Sequence, residues 1–163
     1  MRLRTRVIAL SLVAAALAAA ILDHFVLSAG AQATDREITV RMKFKGSSYV
    51  KHGRGEQLRP GDVLTVRLAM VSPSGVAVGS ANTECVNVGR KAAVANATLQ
   101  CVQTYRFRDG QIVTAGLVKF SALDDLAIPI VGGSGAYRGA SGQVTSGAPV
   151  KGFDSVDVLQ LDG

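Results

Sequence analysis

Beyond residue 36 the chain is dominated by alternation of apolar and polar positions. From Glu37 to Phe44, Ile38, Val40, Met42 and Phe44 fall on one side and Thr39, Arg41 and Lys43 on the other. That period of two marks a strand with one buried face. Val63 to Val71 repeats it, setting Leu64, Val66, Leu68 and Met70 against Thr65, Arg67 and Ala69. Further strand-like runs cover 76–80, 84–88, 97–107, 111–120, 126–131, 143–146 and 155–161, with residues 46–56 and 89–95 read as loops. Pro60-Gly61 suits a type II turn, and Ser72-Pro73-Ser74-Gly75 ends the second run. Asp109-Gly110 signals a tight hairpin, because both residues tolerate the positive φ of a type I′ turn. No segment beyond residue 34 sustains a 3.6-residue period. About eight strands, with no helix to cover an open sheet, predict an all-β fold closed on itself, since closure removes exposed edges.

The front of the chain is a different object. Arg2, Arg4 and Arg6 precede an apolar stretch over residues 7–22, and the small residues Ser28-Ala29-Gly30-Ala31-Gln32-Ala33 follow. That order is a secretory signal peptide's, and two A-x-A sites would start the mature chain at Gln32 or Thr34. The rival reading is a retained membrane anchor, but the stretch is shorter than the roughly 20 residues needed to span, and Asp23 and His24 follow it. The expected organisation is therefore a signal peptide at 1–33 and one domain at 34–163, secreted and without stable membrane insertion after cleavage. The overall 48% apolar content falls to about 42% once the first 33 residues are set aside, an ordinary figure for a soluble domain. The formal charge falls from +6 to +4.

Export governs the reading of the two cysteines. In an oxidising compartment Cys85 and Cys101 favour a disulfide over free thiols. A metal site would have only His52 to add to them, so no metal is expected, and His52 is also the single base available to a nucleophilic thiol. A lone loop histidine is usually solvated. The basic residues are scattered with few aromatics among them, so no nucleic-acid partner is expected; a weak attraction to acidic polymers is the plainer consequence of the charge.

The most distinctive segment is Gly132-Gly133-Ser134-Gly135-Ala136-Tyr137-Arg138-Gly139-Ala140-Ser141-Gly142-Gln143-Val144. A nucleotide-binding reading fails on spacing: Gly133-x-Gly135 is followed by Arg138 where a third glycine would stand, and no phosphate-loop lysine follows. Gly133-Ser134-Gly135 is not a nucleophile elbow either. The segment resembles the GGTGxYRGAxGxV signature of the allene oxide cyclase and dirigent superfamily. Gly75 to Gly79, the Cys85-Val86 pair, the Cys101 run and the Asp109-Gly110-Gln111-Ile112 hairpin follow the same order, so the resemblance covers most of residues 37–161. It implies an eight-stranded antiparallel β-barrel, allene oxide cyclase-like or dirigent-like, with a small apolar cavity, often homotrimeric and often secreted. It also implies chemistry by shape and water exclusion with no cofactor, on a small apolar or phenolic molecule. The activity would be that of an isomerase or cyclase. Where cyclising dirigent proteins often carry an aspartate after the glycine turn and an arginine before its last glycine, this chain has Ala136 and Ser141. That departure leaves room for a second reading, a secreted structural or protein-binding module that uses only the scaffold.

No catalytic residue is assigned. Tyr137 and Arg138 lie inside the signature, either packing and pairing around the turn or touching a ligand. Arg67, Glu84 and Tyr105 lie on expected strands and are further cavity candidates, each set against a solvent-facing alternative. Gly132, Gly133, Gly135, Gly139 and Gly142 are read as a structural motif that lets the backbone turn and approach its neighbours.

Overall fold

A computed structural model describes residues 36–119, 121, 126–147, 152 and 154–163. The expected signal peptide at 1–33 lies outside the described residues. Eight strands are found among those described: β1 (Arg36–Val50), β2 (Val63–Val71), β3 (Ala77–Asn87), β4 (Leu99–Phe107), β5 (Gly110–Val118), β6 (Ala127–Gly135), β7 (Gly142–Gly147) and β8 (Ser155–Leu161). Each pairs antiparallel with the next, and β1 closes on β8 from Arg36↔Leu161 to Met42↔Ser155, giving a closed barrel.

The runs at 76–80 and 84–88 are one strand. Ala81 and Thr83 continue the inward alternation between them, and β3 stays in register with β4 from Gly79↔Phe107 to Asn87↔Leu99. The glycine segment also differs from a simple loop: Gly132 to Gly135 form the end of β6, paired with Gly110 to Val113 of β5, and the turn proper is residues 136–139.

Two packed layers fill the barrel. One gathers Met42, Met70, Tyr105, Ile112, Tyr137 and Leu159, and the other gathers Leu58, Leu64, Cys85, Leu99, Cys101 and Val118. Tyr137 is delivered into the first layer by the glycine segment. A Cβ on Gly133 would lie 2.3 Å from the Tyr137 carbonyl oxygen and 2.7 Å from that of Gln111, so only glycine lets the strand pass. Leu58 caps the second layer from the β1–β2 loop. Its backbone exchanges two hydrogen bonds with Ala92, at 2.8 and 3.0 Å. The same loop is held by Asp62, whose carboxylate accepts from the backbone N–H groups of Arg59 and His52 at 2.8 and 2.7 Å and lies 3.0 Å from His52 Nδ1. These donors, the Arg59 N–H foremost, hold the Asp62 carboxyl below its ordinary value.

Cys85 and Cys101 face each other across β3 and β4, their Cα atoms 4.0 Å apart, and are joined as a disulfide. Directly opposed positions in an antiparallel pair bring side chains close enough for this bond.

Candidate functional site

The inward stripes of β2 to β8 leave a cavity of about 270 Å³ bordered by residues of both packed layers. Its apolar wall is Val66, Leu68, Val118, Ile128 and Val144, together with the disulfide. The opposite wall is polar and centres on Asp157 of β8, which is only 4% exposed. Asp157 reaches the lumen because it shares the inward parity of Leu159, which is fully buried.

Four side chains donate to this carboxylate. Ser146 Oγ reaches Oδ1 at 2.8 Å and Tyr105 Oη reaches Oδ2 at 2.9 Å. Ser155 Oγ and Gln103 Nε2 add longer contacts, each 3.4 Å, to Oδ1 and Oδ2 respectively. Thr83 donates to Gln103 Oε1 at 2.9 Å, which orients the amide so that its nitrogen points at Asp157. The donors come from four strands: Thr83 from β3, Gln103 and Tyr105 from β4, Ser146 from β7 and Ser155 from β8. Closure of the barrel is therefore what assembles the cluster. Among the described residues no buried side-chain nitrogen or oxygen lacks a partner.

Burial pushes the Asp157 carboxyl above its ordinary value, while its hydrogen bonds, Ser146 first, pull the other way. Burial, and then the neighbouring Asp157 charge, raise the Tyr105 phenol well above its ordinary value, so Tyr105 is a neutral hydrogen-bond donor. Asp157 is thus a carboxyl in a water-poor chamber, held in one orientation and with its proton affinity raised. Such a group can give or take a proton, or face positive charge on a bound molecule.

Of the five cavity candidates named from sequence, the structure brings only Tyr105 to this wall. Arg67 and Glu84 are exposed, on the outer faces of β2 and β3. Tyr137 is buried but packs elsewhere. Its ring centroid lies 5.1 Å from that of Phe107, and the Arg36 guanidinium stands 5.6 Å from the Tyr137 ring. Arg138 is exposed in the turn at residues 136–139. Burial, followed by the charge of Asp109, raises the Tyr137 phenol. The residues of the cluster missed were Asp157, Gln103, Ser146, Ser155 and Thr83. The available signal was an acid sharing parity with Leu159 and Leu161, and a glutamine sharing parity with Leu99, Cys101 and Tyr105.

Other concavities hold less chemistry. An open groove of about 640 Å³ is formed by surface residues including Arg36, Glu37, Gln143 and Gln160, with no buried titratable group. Among the described residues no group of three or more His, Cys, Asp or Glu is placed to hold a metal ion.

The family model for the allene oxide cyclase barrel like domain matches residues 40–152. Among curated protein sequences none is significantly similar. Several solved structures share the fold. A pyocyanin demethylase superposes with a TM-score of 0.63 at 21% identity, covering 77% of this chain and 99% of that one. A Diels-Alderase from Streptomyces koyangensis gives 0.56 at 20% identity, covering 90% and 78%. A pterocarpan synthase dirigent protein gives 0.59 at 17% identity, covering 81% and 91%. At these identities the likeness is one of fold.

Proposed function

Because the chain belongs to the allene oxide cyclase barrel like domain family, we propose that it binds a small, largely apolar molecule in the barrel lumen and guides its isomerisation or cyclisation there. The observation that carries this reading is the lumen cavity, apolar on one wall and centred on buried Asp157 on the other. Structural relatives described as a Diels-Alderase and a dirigent protein support it by analogy. A cavity of about 270 Å³ sits at the lower end of the range for ligand pockets and suits one or two rings.

Two effects would act together. The apolar wall holds one folded conformation of the guest and keeps water out. Asp157 takes a proton from one position of the guest and returns it at another, with Tyr105 and Ser146 holding the carboxylate while it is charged. The guest's own atoms are rearranged and nothing else is consumed. The absence of an acid at Ala136 does not deprive the lumen of one, because β8 supplies it from the far end of the chain.

Isomers have equal mass, so the readout is chromatographic. Extract from the producing organism incubated with the protein should show a species of unchanged mass moving to a new retention time, and Asp157→Asn should leave it in place. Binding is tested with quinoline, a neutral two-ring probe: one equivalent should bind, and Val66→Phe, which fills the lumen, should abolish it. Binding unaffected by Val66→Phe would overturn the lumen as the site.

Export by the segment at 1–33 belongs to this proposal, supported by the pattern of that segment and by the disulfide in the barrel. Assembly as a homotrimer is proposed from the family resemblance, and light scattering tests it.

A further inference from the structure

The charge of the lumen says more about the guest. Resting on the lumen-binding reading above, we propose that the molecule bound against Asp157 is a compact cation, a protonated amine or an N-alkylated heteroaromatic of one or two rings, and not a carboxylate.

The cavity's charged wall is entirely acidic. Asp157 stands at its centre and Asp154 at its rim, and among the described residues no lysine, arginine or histidine lines it. Asp154 Oδ2 is engaged by the Phe44 backbone N–H, so Asp157 is the carboxylate a guest would meet. Both its oxygens accept hydrogen bonds from neutral donors, Ser146 and Ser155 on Oδ1, Tyr105 and Gln103 on Oδ2. That arrangement is built for an anion. Buried carboxylates in proteins are ordinarily paired with a cation, because hydrogen bonds from neutral groups offset only part of the desolvation cost. The described residues place no cation on this one. A guest carrying positive charge supplies the missing partner, while its rings lie on Val66, Leu68, Ile128 and Val144. A carboxylate guest would face the like charge of buried Asp157, where low dielectric makes repulsion strong.

Titration calorimetry at neutral pH with three two-ring probes decides the point: N-methylquinolinium as the cation, quinoline as the neutral parent ring system, and naphthoate as the anion. The cation should bind at least about tenfold more tightly than quinoline, the scale of one charge-assisted hydrogen bond or ion pair out of bulk water, and naphthoate should bind most weakly. Asp157→Asn should bring the cation to within about threefold of quinoline and leave quinoline itself little changed. The comparison of probes on the unmodified protein needs no variant, so it stands even if Asp157→Asn folds poorly. Quinoline binding as tightly as N-methylquinolinium would overturn the inference while leaving lumen binding intact. If none of the three probes is displaced by Val66→Phe, the lumen-binding reading fails as well.

Discussion

The hydroxyl of Tyr105 offers the sharpest test of the cluster around Asp157. Tyr105→Phe keeps the ring, which is 2% exposed and packed in the core, and removes only the oxygen that donates to Oδ2 at 2.9 Å. What then remains on Oδ2 is Gln103 Nε2 at 3.4 Å, near the outer limit of a hydrogen bond. A hydrogen bond to a charged group contributes about 1.5–3 kcal/mol, so the variant should lose about 2 kcal/mol. For a domain of roughly 130 residues that corresponds to a fall in Tm of about 5–10 °C. The loss should also depend on pH. Asp157 has a folded-state pKa above its unfolded value, so its stability contribution is greatest below the unfolded pKa and diminishes as pH rises through the folded one. Tyr105 stabilises the ionised form, so removing its hydroxyl raises that pKa further. The variant's deficit should therefore be small in acid and grow as Asp157 ionises. Circular dichroism is the suitable probe, since the chain has no tryptophan. A stability change below about 0.5 kcal/mol, or a deficit that does not vary with pH, would refute the assignment of this hydrogen bond to a charged, buried Asp157.

Other outcomes follow from the same structure. Thiol titration of the denatured, unreduced protein should find no free cysteine, and replacing Cys85 and Cys101 together with alanine should cost about 3 kcal/mol, as expected for a closed loop of about 15 residues. Gly133→Ala should destabilise by several kcal/mol in a denaturant melt, because its Cβ meets backbone atoms of Tyr137 and Gln111 at 2.3 and 2.7 Å. Gly139→Ala, with a φ of +77° but nothing within 4 Å of the added carbon, should cost only about 1 kcal/mol. Asp62 has the opposite linkage to Asp157. Its folded pKa lies below the unfolded one, so its contribution is present above the unfolded value and lost as pH falls through the folded value. Urea melts of Asp62→Asn and of the unmodified protein should converge in acid and separate toward neutrality. N-terminal sequencing of protein recovered from the medium should begin at Gln32 or Thr34.

Much of the barrel can be read directly from residue order, and most of the site cannot. Alternation in 63–71 and the spacing of turn residues report local geometry and survive in the closed sheet; Phe44, expected on the buried face of 37–44, is 48% exposed, and the β4–β5 hairpin forms with Gly110 already in β5 and without the positive φ expected of it. The boundary between 80 and 84 misleads, because Ser80, Asn82 and Thr83 look like a break although their alternation continues. The fate of Arg67 is implicit in its own strand, since Leu64, Val66, Leu68 and Met70 form the buried stripe and Arg67 lies on the other face. Asp157 is harder to place. Val156 and Val158 flank it with one apolar stripe while Leu159 and Leu161 continue another, so β8 is apolar on both parities and the local pattern does not say which faces the lumen. The cluster itself is a product of closure: Gln103 and Tyr105 stand 54 and 52 residues from Asp157, and no local spacing announces such a meeting. The glycines from Gly132 to Gly142, the most recognisable part of the chain, serve to seat Tyr137 and do not line the cavity.

On the proposed function, the lumen beside Asp157 is a binding site. A crystal structure of the protein soaked with N-methylquinolinium tests it most directly. The probe should lie inside the barrel, its rings against Val66, Leu68 and Val144 and its nitrogen-bearing ring turned toward the Asp157 carboxylate. A lumen closed by its own side chains, or a probe found only on the outer surface, would contradict it.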